Sequence, residues 1–417
     1  MDARIAISGI GLVTPLGLTA AENLACCRTL ESRIAPVRDI DTAGRAFRAA
    51  AYVPPFSVSD SLRYPKYDRF LSQPVTFAWK AAREALTTGG LDPARLDGGR
   101  IGLYAGAGQT GIEYDWFFPA LSLAWEGDRE MDFRYLGGRP SHLIDRYITL
   151  RTLANLGVGM LAAEFGIHGP SGNYVQYDTA SAEALLSACG DLVEGRCDVA
   201  LAGGYDSLLL LSNFLAYEKA GLLSRAAPDI ACRPYDRDRD GLVLGQGAAF
   251  LLLERWEDAE KRGAPIVGEL CGVGCAMETS DAWRLGWDPD TLCAAVHEAC
   301  GGESPDFVVG HGLATREEDA REAAAISRLL DDIPVTAFKS RTGYLGAATA
   351  AVELGLGLLC AREGFLPAIV RHETADPECP LALVTREARP LLKGHSLGLY
   401  LCAAWGGQIA ALAARAA

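Results

Sequence analysis

The sequence is short of basic residues. It holds 39 Lys and Arg against 53 Asp and Glu, which gives a formal net charge of −14. A protein that binds nucleic acid needs clustered Lys and Arg to displace the counterions of the phosphate backbone. We therefore expect no nucleic-acid partner, and any acidic protein partner must dock on a local patch of positive charge.

Long apolar runs are also lacking. No stretch approaches the roughly 18 residues that a membrane-spanning helix needs. Residues 1–9 place an acid before a short alternating segment and contain no apolar core of a signal peptide. We expect a cytoplasmic protein with no membrane partner.

The twelve cysteines lack the paired spacing of a zinc site. No two of them are separated by two residues, and Cys271 and Cys275 have no second pair of ligands nearby. Scattered cysteines in a long chain are typical of buried, reduced thiols in a reducing compartment. We predict no metal centre.

The sequence does contain short aliphatic runs that alternate with amphipathic segments. The runs typical of strands are residues 4–10, 100–104, 199–202, 251–254, 305–309 and 335–338. The segments with helical periodicity are residues 75–86, 182–193, 319–330 and 347–362. This alternation predicts βαβ units and an α/β fold with a largely parallel sheet.

The organisation of the chain indicates two halves. We predict a first half over residues 1–250, with an insertion near 105–165 that caps the core or forms a subunit contact, and a second half over residues 251–417. In open α/β sheets the functional side chains gather beyond the carboxyl ends of the strands.

Ser181 lies at such a position, between an extended segment and an amphipathic helix. A helix N-terminus offers free N–H groups and the positive end of the helix dipole, which favour a nucleophile or a developing oxyanion. The alternative is that Thr179 or Ser181 only caps the helix.

His311 and Lys339 each close a predicted strand. His311 is one of six His and could act in catalysis, although a lone His is more often structural. Lys339 precedes a glycine-containing turn and could organise hydrogen bonds or stabilise an anion, or it could be a solvated surface charge.

Several motifs together resemble the β-ketoacyl synthase family, the condensing enzymes of fatty-acid and type II polyketide synthesis. The Arg-Pro-aromatic-Asp-x-Asp-x-Asp-Gly run at residues 233–241 is the most diagnostic of them. The similarity extends over nearly the whole chain, and the other segments that carry it are residues 8–17, 165–170, 201–207, 311–312, 339–343 and 405–407.

The resemblance implies a thiolase fold, in which two pseudo-repeated βαβαβαββ halves form a five-layered α-β-α-β-α sandwich that works as a dimer. It also implies a decarboxylative condensation. An acyl chain moves from acyl carrier protein to an active-site Cys, and two His stabilise the enolate formed from malonyl carrier protein. The resemblance implies no metal, nucleotide or flavin, because the phosphopantetheine arm arrives on the carrier protein.

The chain departs from the family pattern at the residues that carry this chemistry. The resemblance puts the nucleophilic Cys at Ser181, and a hydroxyl is far less acidic than a thiol and needs a general base. The first His is kept as His311, but the second, five residues after Lys339, is Tyr344.

The residues expected around the substrate differ as well. The resemblance puts Gln246 where the family has Glu, and Leu313 in place of one of two pantetheine-binding Thr, of which Thr315 is retained. The Gly-Phe-Gly-Gly segment that gates the family's site becomes Ala404, Trp405, Gly406 and Gly407.

These departures leave three hypotheses for function. The first is a chain-length-factor-type subunit that pairs with a Cys-bearing ketosynthase, with Trp405, Phe214 or Tyr205 limiting the length of the chain. The second is an acyltransferase or atypical condensing enzyme in which Ser181 is the nucleophile, His311 its base and Tyr344 part of the oxyanion site. The third is a malonyl-carrier-protein decarboxylase for priming, which needs His311 but no nucleophile.

The hypotheses differ in the partners they require. The first predicts a heterodimer with a ketosynthase subunit, whereas a serine acyltransferase would be a homodimer. All of them predict docking of an acidic acyl carrier protein, and the Arg-rich residues 134–151 are the candidate surface for it.

Overall fold

The structure is a computed structural model that describes residues 3–38, 40–108, 114–126, 130–278, 285, 287–330 and 332–417. The strands are β1 (Ile5–Val13), β2 (Ile34–Pro36), β3 (Ala49–Ala51), β4 (Ile101–Ala107), β5 (Trp125–Glu126), β6 (Glu130–Met131), β7 (Ser171–Tyr174), β8 (Val199–Ser207), β9 (Gln246–Arg255), β10 (Gly268–Met277), β11 (Phe307–Val309), β12 (Pro334–Thr336), β13 (Phe365–Leu366), β14 (Ala382–Leu383), β15 (Arg389–Pro390), β16 (Leu397–Ala404) and β17 (Gln408–Ala416).

The helices fall between these strands. They are α1 (Ala20–Cys27), α2 (Gln73–Thr88), α3 (Tyr114–Ala124), α4 (Phe133–Gly137), α5 (Ile148–Arg151), α6 (Leu156–Phe165), α7 (Ala180–Val193), α8 (Leu211–Lys219), α9 (Trp256–Lys261), α10 (Pro289–Cys300), α11 (Arg316–Leu329), α12 (Lys339–Thr342) and α13 (Thr349–Arg362). None of the helices among the described residues is both long and apolar enough to cross a membrane.

The main sheet has eleven strands in the order β14-β12-β11-β16-β17-β10-β1-β9-β8-β4-β7. Outward from β1 the order is β1-β9-β8-β4-β7, and outward from its neighbour β10 it is β10-β17-β16-β11-β12. In chain order, β1-α2-β4-α6-β7-α7-β8-β9 and β10-α10-β11-α11-β12-α13-β16-β17 each follow the pattern βαβαβαββ. The predicted pair of repeated halves is confirmed.

The two halves enclose a central pair of helices. Helix α7 packs on β4 and β8, α13 packs on β9 of the first half and on β16 and β17 of the second, and the two helices contact each other. Helix α2 covers the first half from outside and α10 covers the second. This is the five-layered α-β-α-β-α arrangement of the thiolase fold, and its central layer is built from small and aliphatic residues of α7 and α13.

The topology refines the predicted division of the chain. A boundary between residues 250 and 251 falls inside β9, whereas the repeat separates β9 from β10, which begins at Gly268. The predicted insertion at 105–165 contains the short elements from α3 to α6, and residues 109–113 and 127–129 of it lie outside the described residues.

The site-bearing segments follow the expected rule for parallel strands. Strands β4 and β7 pair in parallel, as do β11 and β12. The turn after β7 leads into α7, the loop after β11 carries His311, and α12 begins shortly after β12 with Lys339. Each of these three connections follows the carboxyl end of its strand. They therefore lie at the edge of the sheet where α7 and α13 begin.

Candidate functional site

His311 lies in a tightly held loop after β11. Its backbone N–H donates to Glu322 Oε1 at 2.6 Å, and the N–H of Gly312 donates to Glu322 Oε2 at 2.9 Å. Gly312 has a φ of +48°, in the left-handed region that glycine adopts without strain. Both N–H groups of the loop are thus bound by one carboxylate of α11, which fixes the buried imidazole.

Lys339 determines the state of His311. Its Nζ lies 3.2 Å from His311 Nδ1 and 2.9 Å from Glu353 Oε1, and it donates to the His311 carbonyl at 2.5 Å. Burial alone would lower the pKa of Lys339, but Glu353 leads the negative groups that outweigh burial and raise it. An ammonium group can only donate, so Nδ1 accepts and the imidazole proton sits on Nε2.

Nε2 of His311 therefore presents a hydrogen-bond donor, and no described residue is its partner. Burial, reinforced by the charge of Lys339, holds the pKa of His311 well below its usual range. His311 is thus a neutral donor at neutral pH. Of the alternatives left open for Lys339, a solvated surface charge does not hold, since Lys339 is buried against the imidazole.

Tyr344 joins this group from the other side. Its hydroxyl donates to Asp178 Oδ2 at 2.5 Å, and its ring meets the ring of Tyr217 edge-on at 5.9 Å. The Tyr344 backbone is fixed because its N–H donates to the carbonyl of Val243 and its carbonyl accepts from Gly245. The single donor of Tyr344 is thus already used within the protein.

Asp178 is the residue that the sequence analysis missed. It lies in the turn before α7 and is fully buried, and its backbone carbonyl accepts from the Cys402 thiol at 3.2 Å. Burial raises the pKa of Asp178 to about 6, although Lys339 and the Tyr344 hydroxyl oppose the shift. No sequence motif singles out Asp178, because its contacts with Tyr344 and Cys402 depend on tertiary packing.

Ser181 takes no part in this group. It is the second residue of α7, and its Oγ accepts from the backbone N–H of Ala351 at 3.1 Å. The Ser181 side chain lies against β8. A Cβ atom added to Gly204 of that strand would come within 2.7 Å of the Ser181 Cβ. Because His311 Nε2 has no hydrogen-bond partner among the described residues, Ser181 and His311 do not form a hydrogen-bonded dyad there.

Asp178, His311 and Cys402 offer one possible metal-ligand atom each, all within 4.8 Å of one another. Their chemistry does not suit an ion. Lys339 leaves a proton on His311 Nε2, and burial leads the causes that raise the pKa of the Cys402 thiol well above its ordinary value. We describe the three as a hydrogen-bonded polar core and assign no metal to it.

The predicted substrate-binding residues divide between two places. Leu313, Phe214 and Tyr344 are buried in one hydrophobic cluster, and Trp405 packs against that cluster from a half-buried position. Phe214 stacks on Phe47 with ring centroids 4.7 Å apart. These aromatic and aliphatic side chains surround the Tyr344 end of the site.

The remaining predicted substrate-binding residues are Thr315, Gly406, Gly407 and Gln246. Thr315 precedes α11, and its buried hydroxyl has no hydrogen-bond partner. Gly406 and Gly407 turn β16 into β17 with φ values of +94° and +89°. Gln246, at the start of β9, accepts from the Ser207 hydroxyl at 3.0 Å.

Two further side chains belong to the site and have no sequence signature. Trp287 places its ring 5.9 Å from that of His311, and its buried indole N–H has no partner in the described ranges. Glu353 of α13 binds Lys339, and burial raises its pKa to about 7 although Lys339 opposes the shift. Trp287 lies well before His311 in the chain, and Glu353 lies on α13 whereas Lys339 lies on α12. No local sequence motif therefore links these two side chains to the site.

Comparison with known proteins agrees with this geometry. The model of the family "Beta-ketoacyl synthase, N-terminal domain" matches residues 2–259, and that of "Beta-ketoacyl synthase, C-terminal domain" matches residues 294–373. Together the two matches cover most of the chain.

Individual relatives match over nearly their full length. A Streptomyces halstedii protein that bears the name polyketide beta-ketoacyl synthase 1 is 32% identical, covering 93% of both chains. The 3-oxoacyl-[acyl-carrier-protein] synthase 2 of Coxiella burnetii is 28% identical, also covering 93% of both. The solved ishigamide ketosynthase/chain length factor superposes with a TM-score of 0.86 at 25% identity, covering 100% of this chain and 99% of the other.

The raised pKa of Asp178 predicts how stability depends on pH. Between its ordinary value of 3.8 and about 6 the folded protein binds more protons than the unfolded chain, so the free energy of unfolding falls as the pH rises through that window. In Asp178→Asn we expect this fall to be smaller by about 1–3 kcal/mol between roughly pH 4 and pH 7. Denaturant unfolding at a series of pH values measures it.

Asp290→Asn is the matched control, because that carboxylate is exposed on the surface. Its pH dependence should follow the wild type. Parallel curves for wild type and Asp178→Asn would contradict the assignment of a buried, proton-binding carboxyl at Asp178.

Proposed function

Since the chain belongs to the β-ketoacyl synthase family of fatty-acid and polyketide synthesis, we propose that it is a non-condensing subunit of the chain-length-factor type. In this proposal it pairs with a ketosynthase that supplies the nucleophilic Cys. It acts by shaping the site of its partner and not by carrying an acyl group itself.

The observation that carries the proposal is the set of side chains beside His311 and Tyr344. The Ser181 hydroxyl stands where the resemblance puts the Cys that attacks the acyl thioester, and the group bound to Tyr344 is the carboxyl of Asp178, through its Oδ2. A buried carboxyl bound in this way offers no thiolate to attack a thioester. Cys402 is close by, but its raised pKa keeps it a thiol.

The serine hypothesis has less support. A Ser nucleophile needs a general base within hydrogen-bonding distance. Ser181 Oγ accepts from Ala351 and does not contact His311. With its proton on Nε2, His311 also offers Ser181 no acceptor at that nitrogen.

One observation favours the decarboxylase hypothesis as a second candidate. His311 Nε2–H is a free donor that could bind a malonyl thioester carbonyl. Tyr344, in the place of the second His, already donates to Asp178, and an ionised Asp178 would repel the malonyl carboxylate. We therefore rank this activity below the paired-subunit role.

The surface supports pairing with a second chain. Within the described part of the chain, β7 ends the main sheet with no neighbour on its outer side, and Val175 and Tyr177, just after it, are 40% and 44% exposed. Exposed apolar side chains continue over the neighbouring insertion, namely Phe118, Leu123, Trp125, Phe133, Tyr135, Leu143, Leu150 and Leu153. An open sheet edge beside an apolar surface is typical of a protein interface.

The carrier protein requires a basic surface. Within the predicted region 134–151, Arg151 donates to the carbonyl of Arg69 at 2.6 Å and to Asp145 at 3.1 Å. Arg69 in turn lies beside Tyr147. We therefore extend the predicted docking surface to include Arg69, and we expect the phosphopantetheine arm to arrive there on an acyl carrier protein.

The proposal predicts that the isolated chain is not acylated. After incubation with a panel of acyl and malonyl carrier proteins, the intact masses of wild type, Ser181→Ala and Asp178→Ala should each remain unchanged, because no activated nucleophile is available. A Cys-bearing ketosynthase treated in parallel is the positive control. An acyl-sized increment in wild type that is absent from Ser181→Ala would establish the serine hypothesis instead.

Pairing through this surface predicts that a charge placed just after β7 weakens the complex with the ketosynthase. Val175→Asp should weaken the complex with a co-expressed Cys-bearing ketosynthase at least about tenfold, because it buries a charge in an apolar contact. Leu392→Asp is the matched control, since Leu392 is 71% exposed and lies outside β7 and the insertion. Native mass spectrometry measures both, and equal pairing of the two variants would contradict an interface at β7.

A further inference from the structure

Two buried ring N–H groups of the candidate site find no acceptor among the described residues. They are Nε1 of Trp287 and Nε2 of His311. The exposed fractions of the two residues are 3% and 1%. A buried donor without an acceptor is costly, so such groups in native proteins are usually bound by a water molecule or a ligand.

The two donors lie close together. The rings of Trp287 and His311 have centroids 5.9 Å apart and are inclined at 51° to each other. Lys339 occupies the Nδ1 edge of the imidazole, which leaves the Nε2 edge for a ligand. Because an N–H group donates to an oxygen about 2.9 Å from its nitrogen, rings at this separation can both donate to one bound carbonyl group.

The segment that carries Trp287 is held on both sides of this residue. On one side, the carbonyl of Leu285 accepts from Arg321 Nη1 at 3.1 Å. On the other side, the backbone N–H of Asp288 donates to Glu278 Oε2 at 2.6 Å, and Glu278 also pairs with Arg321 at 3.6 Å. A backbone fixed in this way loses little entropy when a ligand binds, so the indole donor is preorganised.

The surroundings of the two donors favour a neutral acceptor. Trp287, Leu285 and Leu313 belong to one buried hydrophobic cluster. A carboxylate oxygen of Asp178 lies within 4.8 Å of a ring nitrogen of His311. When Asp178 is ionised, it repels a carboxylate or a phosphate there but not an uncharged carbonyl. A thioester carbonyl is such an acceptor, and the acyl group attached to it is apolar.

We propose that Trp287 and His311 together bind the carbonyl oxygen of an acyl thioester, and that Trp287 supplies the donor that Tyr344 does not. The Tyr344 hydroxyl already donates to Asp178 Oδ2, so His311 without Trp287 would give the carbonyl a single donor. Trp287 is a binding residue in this role, since no bond of the thioester forms or breaks. The inference goes beyond the paired-subunit role and does not depend on it.

The test follows the indole N–H signals of the isotope-labelled chain by NMR during titration with S-acetyl-pantetheine. In the wild type, we expect a shift of the signal that is missing from Trp287→Phe. The variant should bind the thioester about tenfold more weakly, because one neutral hydrogen bond is lost.

Trp79→Phe is the matched control. Trp79 is also buried, and its Nε1 likewise has no partner in the part of the chain that the structure describes. It lies on α2 in a different hydrophobic cluster, so its substitution should leave the affinity for the thioester unchanged.

The S-ethyl thioether of pantetheine is the matched ligand, because it lacks only the carbonyl oxygen. It should leave the Trp287 signal unshifted. An equal shift with the thioether, no shift with the thioester, or an unchanged affinity in Trp287→Phe would overturn the proposal. If Trp287→Phe does not fold, substitution of the other tryptophans in turn assigns the Trp287 signal, and its response to the two ligands decides the outcome.

Discussion

The buried ammonium of Lys339 is the constraint on which the candidate site depends. A charge inside a protein must be neutralised and its three donors must find acceptors. Glu353 provides the charge, and the imidazole and carbonyl of His311 provide the other acceptors. The same contacts leave His311 neutral with its proton on Nε2, so one side chain determines what the site can donate.

The charge balance around Lys339 explains why ordinary condensation is not expected. Asp178 and Glu353 both lie within its influence, and burial raises their pKa values to about 6 and about 7. One cation thus serves two buried carboxyls, and an ionised Asp178 would repel a malonyl carboxylate that approached His311 and Tyr344. A non-condensing subunit tolerates this arrangement, because the nucleophile and the enolate belong to its partner.

The sequence predicted the repeated halves and brought His311, Lys339 and Tyr344 into one site, because each follows a strand end or a family motif. It put the family's nucleophile position at Ser181, whose Oγ accepts from the backbone N–H of Ala351. Asp178 was not found, because its bond to Tyr344 and its closeness to His311 depend on how the turn before α7 packs. Glu353 and Trp287 were not found, since their contacts depend on tertiary packing.

The most direct test of the central claim compares the wild type with one double variant, Ser181→Cys with Tyr344→His, which restores the thiol and the second His that the resemblance puts at these positions. Both proteins are incubated with an acyl carrier protein that bears a saturated chain. We predict an acyl adduct, seen by intact mass, on the double variant and none on the wild type. An acyl adduct on the wild type would contradict the claim that this chain carries no acyl group itself.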